Sequence, residues 1–154
     1  MTSEAGGTAV VAMKKWLRGG LFTLAGLQTI VAAWQYLLPR SFYDNFPTVK
    51  LDPPFNEHLV SDVGGLGLAV TATLYFAAVV LDTKVAAAAL LGYAVYVVTH
   101  FIFHVTHFDN FSLLEAIGVG TGLGIEVVLA VLLMYVTWLI HRAESAIAQP
   151  VRAR

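Results

Sequence analysis

Tyr93 to His107, YAVYVVTHFIFHVTH, forms the far end of a long apolar segment and carries three histidines, His100, His104 and His107. The length and apolarity of the segment predict a helix. At roughly 100° per residue, spacings of i, i+4 and i+7 gather the three imidazoles within a wedge of about 60°. The rest of the chain shares this character. Of its 154 residues 58% are hydrophobic and only 12% charged, and the mean hydropathy is +0.74. That is too apolar for a soluble domain of this size and predicts an integral membrane protein.

Composition also excludes function classes. The formal net charge is -1, with nine Lys and Arg in all, and no basic face interleaved with aromatic residues follows a phosphate backbone, so nucleic acid is not a partner. The absence of cysteine removes disulfides, thiolate catalysis, iron–sulfur clusters and Cys-based zinc sites. MTSEAGGTAV and the two residues after it, positions 1–12, are small and polar enough to be expected disordered. The apolar run that follows is too long for a signal-peptide core and is read as a retained span.

Four spans are expected, at about 13–38, 56–81, 85–108 and 112–141, with residues 143–154 as a tail outside the membrane. Each is long enough to cross a hydrocarbon core of about 30 Å at 1.5 Å per residue. Pro39 ends the first, Asn56 is a plausible N-cap for the second, and Ser112 with Glu115 has capping-box spacing for the fourth. Lys14, Lys15, Arg18, Lys84, Arg142, Arg152 and Arg154 fall on one side, against Arg40 and Lys50 on the other. The positive-inside rule then places both termini in the cytoplasm of a multi-pass plasma-membrane protein. The loop of residues 39–55, rich in proline and aromatics, lies outside and is long enough to fold over the bundle as a structured lid. Glycines cluster at Gly64, Gly65 and Gly67 and at Gly118, Gly120, Gly122 and Gly124, where missing side chains let membrane helices approach.

This topology brings two polar groups to one depth. Glu57, His58 and Asp62 open the second span and the histidines close the third. His58 and Asp62, at i and i+4, share a face, and the short Asp82–Lys84 turn makes the two helices expected neighbours. His58, Asp62, His100 and His104 are therefore candidate ligands for a divalent transition metal such as zinc, iron or copper, with His107 and Glu57 nearer the interface. HxxxHxxH is not the HExxH of metalloproteases, because Phe101 stands at the glutamate position. Two other readings stay open: haem held between His58 and His100 or His104, and a structural or proton-handling network without a cofactor. Glu126 lies near the expected bilayer midplane, where a carboxylate is protonated or paired within the bundle. Gln28 is its candidate partner. Glu126 and Glu57 are the candidate acid–base residues.

LLPRSFYDNFP, followed by NEHLVSDVGGLGLA, resembles the corresponding stretches of small DoxX-like membrane proteins, in which a PRxFYxxFP element follows the first helix. The resemblance covers about the first half of the chain. It implies a four-helix membrane fold and an association with membrane quinone chemistry, and it supplies no catalytic motif.

The expected fold is thus an all-α, four-helix transmembrane bundle, N-in and C-in. The leading functional reading is a His/Asp site in the outer leaflet that binds a transition metal and acts on a lipid-soluble or quinone-like substrate. The alternative is an accessory subunit of a larger membrane complex or a homo-oligomer, with the polar cluster purely structural.

Overall fold

The computed structural model describes the backbone over residues 2–51 and 54–152 and the side chains over 6–51 and 54–148. Five helices follow in order: α1 (Thr2–Leu37), α2 (Pro39–Asn45), α3 (Glu57–Val80), α4 (Thr83–Val105) and α5 (Leu113–Arg152), with a single 3-10 turn at Val49–Leu51. There is no strand among the described residues. α3, α4 and α5 are each long and apolar enough to cross a membrane, and a fourth span results if α1 is taken with α2, across a 116° bend.

The boundaries follow local chemistry. Asn56 accepts a hydrogen bond from the Leu59 N–H and caps α3. Asp82 does the same for α4, its Oδ1 accepting from Lys84 N–H and Val85 N–H at 2.9 and 3.0 Å. Those two bonds, with the Lys84 charge beside them, hold the Asp82 carboxyl below its ordinary range, the Val85 N–H contributing most. Ser112 and Glu115 form the anticipated reciprocal capping box. α1 and α5 run past the spans expected for them, reaching back to Thr2 and on to Arg152. Met1 of the start expected to be disordered, Ala153 and Arg154 of the tail expected outside the membrane, and Asp52 and Pro53 of the loop lie outside the described residues.

That loop is ordered by α2. Pro39 opens α2, where its missing N–H is not needed. Phe42 is buried at 4% exposure, between Trp34 at 5.8 Å and Phe46 at 4.8 Å between ring centroids. The Trp34 indole N–H donates to Ser41 Oγ at 3.2 Å. α2 thereby folds onto the ends of α1 and α3.

Each long helix runs antiparallel to the next, which gives the bundle two ends. The terminal end holds the start of α1, the end of α5 and the two-residue connection Leu81–Asp82. The loop end holds α2 and the α4–α5 connection. α1 packs most extensively on α3, and α4 on α5; α1 also meets α5, and the α3–α4 contact is the weakest of the four. Close approach of α1 and α3 depends on Gly64 and Gly67, which lie against Ala32, Gln35 and Gln28. Arg18 of α1 donates through Nε to the Ala78 carbonyl at 3.2 Å, satisfying one of the oxygens that the end of α3 leaves without a helical partner.

The main core gathers Leu17, Leu21, Leu24, Leu74, Ala77, Ala78, Ala86, Leu90, Tyr93, Val97, Ala130 and Ile140. It fills the terminal half of the bundle. Towards the loop end burial continues only between α1, α2 and α3, at Gln28, Ala32, Phe42, Gly64 and Gly67. No residue from Val98 to Leu129 is buried. The α4–α5 hairpin therefore enters the loop end without a packed protein core around it.

Candidate functional site

The buried positions of α4 are Thr83, Ala86, Ala89, Leu90, Tyr93 and Val97, a stripe at intervals of three and four residues. Continued at the same intervals it passes through His100 and His104; His107 lies two residues beyond the end of α4. Relative to Tyr93, His100 and His104 lie within about 20° around the helix axis. His100 and His104 therefore stand on the face of α4 that points into the bundle, at the level where the protein core has ended. His100 is exposed and His104 half-buried. Measured back from Val105 at 1.5 Å per residue, His104, His100, Tyr96 and Tyr93 sit roughly 2, 8, 14 and 18 Å below the loop end of α4.

Aromatic contacts join this ladder. The Tyr96 and His100 rings are parallel, 3° apart in plane with centroids at 6.1 Å. His100 and His104 meet edge to face at 4.7 Å. His104 is flanked by Phe103 at 5.7 Å and Phe111 at 6.3 Å. His107 is committed locally: its ring stacks on Phe103 at 4.4 Å and its Nδ1 lies 2.8 Å from the Phe103 carbonyl oxygen. With Nδ1 protonated it donates there and helps to close the end of α4.

Deeper in the bundle, buried Gln28 donates through Nε2 to the Tyr96 hydroxyl at 3.5 Å. Glu126 is half-buried and lies within electrostatic range of Tyr93 and Tyr96. The side-chain hydrogen bond of Gln28 thus goes to Tyr96, whereas its anticipated partner from their similar depth was Glu126. Tyr93 and Tyr96 are the residues that sequence reasoning passed over. The signal was present, since both belong to the same helical stripe as the histidines.

The second polar group lies elsewhere. His58 Nε2 and Asp62 Oδ2 are 3.3 Å apart, on side chains 87% and 58% exposed. Glu57 is exposed in the first turn of α3, where the helix macrodipole favours a carboxylate. The buried stripe of α3 runs through Gly64, Gly67, Thr71, Leu74 and Ala78, and His58 and Asp62 project from roughly the opposite side of the helix. Among the described residues no group of three or more His, Asp or Glu side chains converges as a metal site. The structure brings together His58 with Asp62, and His100 with His104, as two separate pairs.

Two imidazoles are half of a tetrahedral ligand set. What the α4 ladder does supply is a column of rings whose N–H and O–H groups donate hydrogen bonds, open at the loop end and backed by an amide and a carboxyl group. No family model, curated protein or solved structure matches the chain.

Proposed function

We propose that this chain crosses the cell membrane four times with both termini in the cytoplasm, and that its outer half binds a lipid-soluble, quinone-like molecule against Tyr96, His100 and His104. One observation carries the reading: the inward stripe of α4 changes from apolar to imidazole at the level where burial by protein stops. A histidine pair that only stabilised the fold would be enclosed by it; this one faces a gap in the core at membrane depth. A quinone presents two carbonyl oxygens that accept hydrogen bonds and a flat ring that stacks. Imidazole N–H groups and the parallel Tyr96–His100 faces offer both. Tyr93, Glu126 and Gln28, one to two helical turns deeper, extend the polar column towards the middle of the membrane, where ionisable groups mark proton paths and binding sites. The orientation rests on the seven-to-two distribution of Lys and Arg between the two sides.

A second reading, an accessory subunit of a larger membrane complex, is favoured by the same unburied hairpin, where Leu113 and Leu114 are each 79% exposed. The test is calorimetric titration of the isolated protein in detergent with a short-tailed benzoquinone, on the native chain and on His100→Leu/His104→Leu. Loss of two neutral hydrogen bonds, at about 1 kcal/mol each, weakens affinity roughly thirtyfold. Unchanged affinity in the double variant overturns the site. Absence of binding by a monodisperse native chain moves the assignment to the accessory role. Metal analysis of the same samples completes the comparison: one equivalent of zinc, iron or copper that disappears with His104 assigns the pair to a metal instead.

A further inference from the structure

The terminal end carries a second feature that the ladder does not use. Between α4 and α5 a groove of about 360 Å³ is lined by Thr83, Lys84, Ala87, Met134, Thr137, Trp138 and His141. Its walls are chiefly apolar, from Ala87, Met134 and the face of Trp138. Its mouth is cationic. Lys84 stands on the α4 side, and Arg142 on the α5 side lies with its guanidinium over the Trp138 ring, 4.9 Å from the centroid. Thr83 and His141 close the polar end, Thr83 Oγ1 to His141 Nδ1 at 3.2 Å. Trp138 also stacks on Tyr135 at 5.6 Å, and such a pair of amphipathic rings belongs at the membrane–water interface.

We infer that this groove is a binding site for one anionic phospholipid, an acyl chain lying along Ala87, Met134 and Trp138 and the phosphate held between Lys84 and Arg142. Charge complementarity selects the occupant. Lys84 and Arg142 are both cations, one from each helix, and the Asp82 carboxylate, in electrostatic range of Lys84, is turned to the backbone of α4 as its N-cap. Lys14, which is also in electrostatic range of Asp82, is paired with Glu144 at 2.6 Å. The groove opens beside the first turn of α4, where the Trp138–Tyr135 pair marks the interface, the depth at which basic side chains recognise anionic head groups. An apolar trough beneath a two-point cationic mouth suits a lipid better than a soluble anion, since only a lipid fills both parts.

The experiment is native mass spectrometry of the full chain, released from nanodiscs containing equal amounts of phosphatidylglycerol and phosphatidylcholine. The native protein is expected to retain one phosphatidylglycerol at least tenfold more often than one phosphatidylcholine. Lys84→Gln/Arg142→Gln should remove that preference, and Ala87→Phe, which fills the trough and leaves both charges, should lower retention of either lipid. Equal retention of the two lipids by the native chain overturns the inference without reference to any variant. So does displacement of the bound lipid by millimolar glycerol phosphate, which would make the site one for a soluble phosphate.

Discussion

Gly64→Ala adds one methyl group at the tightest point between α1 and α3, and the structure gives its consequence. A β-carbon at this position would stand 2.6 Å from the Tyr36 backbone nitrogen, 2.9 Å from the Ala32 carbonyl oxygen and 2.9 Å from the Gln35 β-carbon. Two of those neighbours are backbone and the third is fixed to it, so no rotamer change relieves the contact. Reaching an ordinary separation of 3.4 Å requires the helices to part by roughly 0.8 Å. Overpacking of this kind costs about 1–3 kcal/mol. Here the cost should fall in the upper half of that range, because parting the helices also loosens Gly67 against Ala32 and the buried Gln28. The assay is reversible unfolding in mixed micelles, followed by tryptophan fluorescence. Gly65→Ala is the internal control: its nearest neighbour is the Tyr36 ring at 3.8 Å, an ordinary contact, so it should show only the gain of up to about 1 kcal/mol that alanine brings over glycine in a helix interior. Equal stability of the two variants would refute the close approach of α1 and α3 on which the bundle rests.

Glu144→Gln removes the partner of Lys14, but both side chains are about one-third exposed, at 34% and 38%; the loss should be under about 1 kcal/mol and should shrink in high salt, as read by the same unfolding assay. Asp82→Ala deletes the N-cap of α4 and lowers the melting temperature. Because the folded carboxyl titrates below its ordinary value of 3.8, the contribution of its charge is complete above that pH and disappears as pH falls through the lower folded value, so the gap between variant and native melting temperatures should narrow in acid below about pH 4. Tyr96→Phe takes away the acceptor of the long Gln28 hydrogen bond. It should cost no more than about 1 kcal/mol in stability while weakening benzoquinone binding about fivefold, a split that titration and unfolding of one sample resolve.

Much of the fold is legible in the sequence because much of it is short-range. Asn56 and the Ser112–Glu115 box mark helix starts through bonds that reach three residues at most, and Pro39 marks the bend by its own geometry; the turn expected over Asp82–Lys84 is instead the N-cap and first residues of α4. Apolar length identifies α3, α4 and α5 as possible spans with no tertiary information. What the reading of local pattern did not supply is rotation about each helix axis. Spacing showed that His58 and Asp62 share a face of α3, but not which face. The missing information was nearby, since the run of small residues Gly64, Gly67, Thr71 and Ala78 faces α1 and turns His58 and Asp62 outward. The Leu81–Asp82 connection likewise made α3 and α4 sequence neighbours without making them close partners. Glycine placement lets α3 settle deeply onto α1, whereas α4 lies on α5, with Phe101 against Gly124 and Phe108 against Gly120, each at 3.7 Å from the position of an added β-carbon. The histidine stripe was legible in itself. Its continuity with Tyr93 and Val97, and the end of the core beside it, needed the assembled bundle.

The most direct test of the proposed site is a titration of the chain, with its five histidines isotopically labelled in the ring, against a short-tailed benzoquinone, observed by NMR in micelles. The His100 and His104 ring resonances should move together and saturate with one equivalent, while those of His58 on the outer face of α3 and His141 at the terminal end stay in place. Saturable shifts at His58 or His141 with His100 and His104 unmoved, or no saturable shift at any histidine, would contradict the assignment of the α4 ladder as a ligand site.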